Sequence, residues 1–221
     1  MQTREIYQII KKQTKKKMAA KPGTTNMMPI ISKVYCSPSE VVLAVRRRPN
    51  VANGGGFAVA DSKQRVVFTV DGCGVIGRKE ELILRDGEGN SLLLIRRKGA
   101  IVEVLSLARQ WTGVTYDFLG SHKLVFTLKD PYNSCFSNKS PIRISIESKE
   151  CSSYGSFEVR GDFPGRSCSI VSSRGDVVAT VQQVMASRDL YHVEIKAGMD
   201  QAFVFGVIAV LDYIYDGSTR C

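Results

Sequence analysis

The sequence predicts a mainly β domain built around one apolar helix, and three observations lead to this fold class. From Glu40 onward, short β-branched segments alternate with turn signals, a rhythm typical of a sandwich or a barrel. Several segments alternate apolar and polar residues, so each of these strands has one face to bury. Near the end of the chain, residues 202–211 are apolar on every side of a helix, which requires burial. The strands are therefore expected to wrap the helix.

About a dozen strands are expected, each bounded by residues that favour turns. The connecting segments contain Gly, Pro, Asn or Asp where a tight turn needs them. Residues 142–147 (IRISIE) show the strictest alternation of apolar and polar side chains. In chain order, the predicted strands lie near residues 40–47, 56–60, 65–70, 81–85, 91–97, 101–107, 110–118, 123–129, 142–147, 154–160, 167–171, 176–184 and 190–196.

The central helix is predicted over residues 199–215. Gly198 and Asp200 suit its N-terminal boundary, because an aspartate side chain can cap the first turn and complements the helix dipole. A membrane span needs about 20 apolar residues, whereas this stretch has about half that length and is bracketed by Asp200 and Asp212. We therefore expect a buried core helix.

One domain is the simplest organisation for a chain of 221 residues, 43% of them hydrophobic. We expect a flexible basic tail over residues 1–33, the folded domain over 34–216 and a short C-terminal tail over 217–221. The protein is expected to be monomeric.

The formal net charge of +10 is unevenly placed, because much of the excess lies in the N-terminal tail. A tail of this kind favours anionic partners, either nucleic acid or an acidic membrane surface. Its principal basic residues are Lys11, Lys12, Lys15, Lys16 and Lys17.

The cellular location is expected to be cytoplasmic, peripheral at the plasma membrane or nuclear, and not secreted. The N-terminal tail has no secretory hydrophobic region, since Ile9 and Ile10 are followed directly by lysines. The six cysteines show no C-x-x-C pairing, so we expect free thiols in a reducing compartment.

Gly72, Gly74 and Gly77 form a G-x-G-x-x-G motif directly after a predicted strand. A dinucleotide site needs these glycines to open a helix that crosses back over the sheet. Only residues 78–85 precede the next turn, which gives about 12 Å of helix, and no further strand–helix–strand units follow. A glycine-rich hairpin is therefore favoured, and no cofactor is expected.

Asp86, Glu88 and Asn90 alternate as in a calcium loop. However, Ser91 replaces the glycine that such a loop needs, and Arg97 occupies the position of the bidentate glutamate. A β-turn is therefore the favoured interpretation of this segment.

His122 and His192 are the only histidines, and neither has a Cys or an acid at metal-ligand spacing. His192 alternates within residues 190–196 and is expected to be a strand residue. Cys73 and Cys168 are favoured as packing residues over nucleophiles. No catalytic or metal-binding residue is predicted, and we expect a protein that is not an enzyme.

A series of motifs in a fixed order resembles the LURP-one-related family of plants, and the likeness covers about residues 35–215. The motifs are Asp61 with Phe68, LRDGEG at 84–89, LIRRK at 94–98, Trp111, RGD at 160–162, SCSI at 167–170, VA at 178–179, YHV at 191–193, GMDQAFV at 198–204 and VLDYI at 210–214. The chain departs from the family at Gln64 and Arg65, where Gly-Asn is usual.

The resemblance implies the fold shared by Tubby C-terminal domains and phospholipid scramblases. That fold is a closed antiparallel barrel of twelve strands around a central hydrophobic helix. In Tubby domains an outer barrel patch binds a phosphoinositide headgroup, so the resemblance makes such a site worth testing here. No local motif of this chain matches the Tubby site, so the resemblance assigns no individual residues to it.

Two short charge clusters are the candidate headgroup-binding residues, with the basic tail adding diffuse attraction. The alternative is that these cations keep strand ends soluble and guard an edge. The clusters are Arg46, Arg47 and Arg48, and Arg96, Arg97 and Lys98.

The leading expectation is a non-enzymatic LURP-one-related protein that tethers reversibly to phosphoinositide membranes in plant stress or pathogen-defence responses. A second expectation is a membrane-tethered transcription regulator or nucleic-acid binder related to Tubby-like proteins. A third, a scramblase-like lipid protein, would need the last helix to insert into a bilayer.

Overall fold

The structure is a computed structural model, and in the residues that it describes the regular elements are twelve strands, one α-helix, the short 3-10 helix Lys33–Tyr35 and a π-helical turn. The described residues are 27–48, 55–72, 80–99, 108–116, 121–131, 141–147, 155–184, 187, 189–216 and 219. The strands are β1 (Val41–Arg48), β2 (Gly56–Ala60), β3 (Val66–Asp71), β4 (Glu81–Asp86), β5 (Ser91–Arg97), β6 (Ala108–Tyr116), β7 (His122–Pro131), β8 (Ile142–Ile146), β9 (Ser156–Asp162), β10 (Ser167–Ser172), β11 (Val177–Gln183) and β12 (Leu190–Ile195).

The strands form one closed barrel in which each strand pairs antiparallel with its neighbours in the sequence. Strands β1 and β12 close it, with Val41 opposite Ile195 and Arg46 opposite Leu190. The predicted barrel is confirmed, and the observed strands lie within about two residues of the predicted ones. The strand predicted at 101–107 lies outside the described residues.

Helix α1 (Gln201–Leu211) runs through the barrel and continues into a π-helical turn, Asp212–Asp216. Every residue from Ala202 to Leu211 is buried, as the all-round apolar pattern predicts. Asp200 caps the helix, because its Oδ1 accepts the Phe203 N–H at 3.2 Å. The predicted core helix and its N-terminal boundary are therefore confirmed.

Aromatic side chains on the helix pack against the inner faces of the strands. The Phe203 ring lies 5.7 Å from Phe126, edge to face, and 5.2 Å from Phe157. Phe205 lies 5.4 Å from Phe68 on another side of the helix. These contacts use both sides of the helix, so it is held by strands all around the barrel.

Residues 28–36, called the strap below, cross the barrel opening at which α1 begins. Met28 pairs with Met199, and Ile30 is part of the core. The Asp200 Oδ2 accepts three successive strap N–H groups, from Ile30 at 3.1 Å, Ile31 at 2.7 Å and Ser32 at 3.0 Å. The folded part of the chain therefore begins before the predicted boundary at residue 34.

Two turns show how short polar side chains set the hairpins. The Asp61 Oδ1 accepts the N–H groups of Lys63 and Arg65, while Gln64 takes a left-handed φ of 64°. Asp86 likewise accepts the N–H groups of Glu88 and Asn90. Gln64 thus adopts a backbone conformation that glycine accepts more easily.

The antiparallel closure gives the barrel two distinct mouths. Odd-numbered strands end at the mouth where α1 also ends, called the upper mouth, and begin at the lower mouth, which the strap crosses. The π-helical turn confirms this direction, since the Tyr213 ring lies 4.7 Å from Trp111 near the start of β6.

Candidate anion-binding surface

The upper mouth carries both charge clusters that the sequence singles out. Arg46, Arg47 and Arg48 end β1, whereas Arg96 and Arg97 end β5 and Lys98 follows them. Because β1 and β5 are both odd-numbered, their ends share the upper mouth. Four strand spacings separate them, or roughly 19 Å along the wall.

The alternation of a β-strand splits the first cluster between two faces of the barrel wall. Arg46 and Arg48 are exposed on the outer face, while the Arg47 side chain is only 15% exposed. Arg47 Nη1 lies 3.3 Å from Asp189 Oδ1, and its Nε lies 3.4 Å from Asp212 Oδ1. Arg47 therefore holds the upper mouth together and does not face the solvent with its two neighbours.

Arg48, Arg96 and Arg97 each form an ion pair with an acidic residue on β3, on β4 or just before β4. Arg48 Nη2 lies 2.6 Å from Asp71 Oδ1, and Arg96 Nε lies 2.5 Å from Glu81 Oε1. Arg97 pairs with Glu80. The pairs of Arg48 and Arg97 are partly exposed and contribute about 0–1 kcal/mol each, so an anionic ligand can compete for these two guanidiniums. Glu81, the partner of Arg96, is buried.

Arg46 and Lys98 form no ion pair within the described part of the chain. The cross-strand register adds two more such cations, because Lys129 on β7 faces Arg143 on β8, and both are exposed. Each of these two stands alone in the sequence, so no local motif reveals them. The strand pairing is the signal that brings them to the upper mouth.

The remaining predicted candidates are placed as follows. Lys11, Lys12, Lys15, Lys16, Lys17 and Cys73, with most of the G-x-G-x-x-G motif, lie outside the described residues. The Asp86 segment is a β-turn, as predicted: burial alone would raise the pKa of Asp86, but hydrogen bonds from Asn90 and nearby backbone N–H groups lower it.

The two described cysteines and the buried histidine behave as packing residues. Burial raises the pKa of the Cys168 thiol to about 12 and that of Cys36 to about 11, which disfavours the reactive thiolate. His192 is a β12 residue, as predicted, and burial lowers its pKa. Among the described residues, no three His, Cys, Asp or Glu side chains lie close enough together to hold a metal ion.

The described helices include none that combines the length and the apolar character of a bilayer span.

These observations define a class of protein: a closed twelve-stranded antiparallel barrel filled by its own helix. The chain belongs to the LURP-one-related family, whose sequence model matches residues 41–212. The family resemblance in the sequence is therefore confirmed.

Two Arabidopsis thaliana proteins illustrate the relationship. Protein LURP-one-related 6 is 56% identical over 195 residues, covering 88% of this chain and 100% of that protein. Protein LURP-one-related 16 is 48% identical over 205 residues, covering 87% and 95%.

The fold also resembles the X-ray structure of an Arabidopsis thaliana protein. The TM-score is 0.56 at 19% sequence identity, covering 84% of this chain and 97% of that one. At this level of identity the likeness concerns the fold alone.

Proposed function

We propose that this LURP-one-related protein is a non-enzymatic module that attaches reversibly to anionic membranes carrying phosphoinositides. The observation that carries the proposal is the upper mouth, where Arg46, Lys98, Lys129 and Arg143 form no ion pair within the described ranges. Each basic residue near an anionic leaflet contributes about 1 kcal/mol, so four give roughly 4 kcal/mol before the tail adds its charge. A role in plant stress or defence responses follows from the family resemblance.

A binding role fits the interior of the barrel better than a chemical one. Helix α1 packs with the inward side chains of the strands in one core and fills the interior of the barrel. The thiols of Cys36 and Cys168 are protonated near neutral pH, and His192 is buried in the wall. The outer wall and the mouths are therefore the surfaces we assign to function.

Vesicle flotation with the full chain tests the proposal. We expect recovery with phosphatidylcholine vesicles that contain phosphatidylinositol bisphosphate, and little recovery with phosphatidylcholine alone. The double variant Arg46→Glu with Lys98→Glu should lose most of the binding. Equal recovery with neutral lipid would contradict the proposal.

A matched control is available at the lower mouth. Lys63 and Lys123 are exposed there and form no ion pair within the described segments. The double variant Lys63→Glu with Lys123→Glu changes the net charge by the same amount. It should bind vesicles nearly as well as the wild type. If the attraction depended on net charge alone, both double variants would lose binding equally.

Nucleic-acid binding is the second function that the same cations would support, because DNA also presents phosphates. It predicts a DNA affinity that falls steeply with salt, together with no recovery on vesicles.

A scramblase-like role would need α1 to leave the barrel, and would break its contacts with Phe126, Phe157 and Phe68. Retention of membrane binding with α1 still protected from hydrogen exchange would contradict that third function.

A further inference from the structure

Resting on the membrane-binding function proposed above, we propose a specific site for the phosphates on the outer wall of β1–β4. The site is a trough with Arg46 and Arg48 on one side and Arg85 on the other, and its ligand is a polyphosphorylated group. A phosphoinositide headgroup and a soluble inositol polyphosphate share this chemistry.

The strand register forms the trough. On the outer face, Arg46 lies opposite Ala58, Ala58 opposite Thr69, and Thr69 opposite Arg85. The next row begins with Arg48 opposite Gly56 and continues to Asp71.

The outer side of β2 therefore presents nothing larger than a methyl group. Its outward positions are Gly56, Ala58 and Ala60, alternating with the core residues Phe57 and Val59. The walls on β1 and β4 stand three strand spacings apart, or about 14 Å. Arginine side chains are long enough to lean over this floor from both sides.

Gly56 allows one of the arginines to lie flat against the wall. Arg48 Nη2 reaches across β2 to donate to the Val70 carbonyl oxygen at 2.6 Å and to Asp71 Oδ1 at 2.6 Å. A Cβ atom at Gly56 would lie 2.0 Å from that carbonyl oxygen and 2.9 Å from Arg48 Nη2, and Gly56 has a φ of 151°. Only glycine therefore fits beneath this guanidinium.

Asp71 fixes the arginine on the opposite wall as well. Arg85 Nε lies 3.0 Å from Asp71 Oδ2, and Arg85 Nη1 donates to Ser91 Oγ at 2.7 Å. One carboxylate thus orients two guanidiniums from facing sides, while Arg46 beside them forms no ion pair in the described part of the chain.

The trough has the charge and the access that a phosphate ligand needs. Three arginines stand against the single acid, and the side chains of Arg48, Asp71 and Arg85 are 44%, 35% and 32% exposed. The guanidiniums are already oriented, so binding costs little side-chain entropy. Phosphates accept bidentate hydrogen bonds from guanidiniums, and these hydrogen bonds are stronger than the contact in a solvated ion pair.

The test compares two double variants that remove equal charge from the outer surface of the barrel. Arg46→Gln with Arg85→Gln removes two trough cations and leaves Asp71 paired with Arg48. Lys129→Gln with Arg143→Gln removes two cations elsewhere on the upper mouth. Each is measured on phosphatidylcholine vesicles containing phosphatidylinositol bisphosphate, and by titration with soluble inositol hexakisphosphate.

We expect the trough variant to bind the soluble probe about tenfold more weakly and the control variant to change that binding by less than about threefold, whereas both variants should weaken vesicle binding. Equal losses of soluble-probe binding in the two variants would overturn the trough and leave the membrane function standing. Trough-dependent binding of the soluble probe without vesicle recovery would support the trough and contradict the membrane function. Failure of the wild type to bind either probe would overturn both.

A second trough variant keeps the test valid if the first variant does not fold. Ala58→Glu places a carboxylate on the trough floor and leaves every arginine in place. It should weaken both probes as strongly as the double variant, with an unchanged thermal midpoint. Unchanged binding by a folded Ala58→Glu protein would overturn the trough.

Discussion

Arg47 and Asp212 join the end of the first strand to the end of the central helix. Arg47 Nε lies 3.4 Å from Asp212 Oδ1, and the Asp212 side chain is fully buried. The same guanidinium reaches Asp189 at the start of β12. A single inward arginine therefore ties the barrel closure between β1 and β12 to the helix inside it.

Replacing Arg47 by Met should lower the free energy of unfolding by about 3 kcal/mol, because it leaves the buried Asp212 carboxylate without this partner. Urea denaturation measures the loss. Arg48→Met is the matched control, since its ion pair with Asp71 is solvated, and it should cost no more than about 1 kcal/mol. Similar losses in the two variants would contradict a structural role for Arg47.

Replacing Asp200 by Ala should both destabilise the fold and release the strap. The helix loses its cap, worth about 1 kcal/mol, and three strap N–H groups lose their acceptor, for a total of about 3 kcal/mol. Hydrogen exchange at Ile30, Ile31 and Ser32 should accelerate before global unfolding. Ser32→Ala, which removes only the bond from Val34 N–H to Ser32 Oγ, should leave that exchange slow.

Two glycines in contact with the same side chains should respond differently to alanine. A Cβ at Gly113 on β6 would lie 2.4 Å from Phe126 Cε1 and 2.8 Å from Leu93 Cδ2. Gly113→Ala should therefore cost about 1–3 kcal/mol through overpacking. Equal stability of wild type and Gly113→Ala in thermal unfolding would show that this packing is loose.

Gly206 on α1 is the matched position. A Cβ there would lie 3.3 Å from Leu93 Cδ1 and 3.4 Å from Phe126 Cε1, contacts that small shifts can relieve. The gain in helix propensity, about 1 kcal/mol, offsets the crowding, so Gly206→Ala should be nearly neutral. A loss as large as that of Gly113→Ala would contradict this reasoning.

Stability should fall as the pH drops through the range in which histidine titrates, and His192 should cause part of the fall. Burial lowers the pKa of His192 in the fold, and its cross-strand neighbours Ala44 and Gln182 carry no charge. The unfolded chain takes up a proton below about pH 6.5, before the folded protein does, so protonation favours unfolding. The stabilisation is thus complete above that pH and is lost progressively below it.

Thermal midpoints of the wild type and His192→Gln, compared at about pH 7.5 and about pH 5.5, measure this contribution. The wild type should lose more stability than the variant on acidification. His122→Gln, which removes the exposed imidazole at the start of β7, is the matched control. Parallel curves for wild type and His192→Gln would contradict the assignment.

Local patterns were sufficient to predict the elements of this fold. Strand alternation, turn residues and the all-round apolar stretch each act over a few residues, and they located the strands, helix α1 and the Asp200 cap. The strap could not be predicted in this way. Its anchor is a carboxylate 170 residues away from Ile30 in the sequence, and residues 28–32 carry no strand or helix pattern of their own.

The candidate surface could be predicted only in part, because it depends on register. Three adjacent arginines suggest one cluster, yet the pleat turns Arg47 inward and leaves Arg46 and Arg48 outside. Asp71, which orients Arg48 and Arg85, is distant from both in the sequence. Only the successive pairing of β1 with β2, of β2 with β3 and of β3 with β4 brings these side chains together on the barrel wall.

The position of α1 in the sequence has a consequence for biosynthesis. All twelve strands are synthesised before the helix that fills them, and β1 can pair with β12 to close the barrel only after most of the chain has been made. Until then the nascent polypeptide exposes the inner faces of its strands, the condition in which chains aggregate or recruit chaperones. We therefore expect a chain truncated before Gln201 to be insoluble, even though it contains all twelve strands.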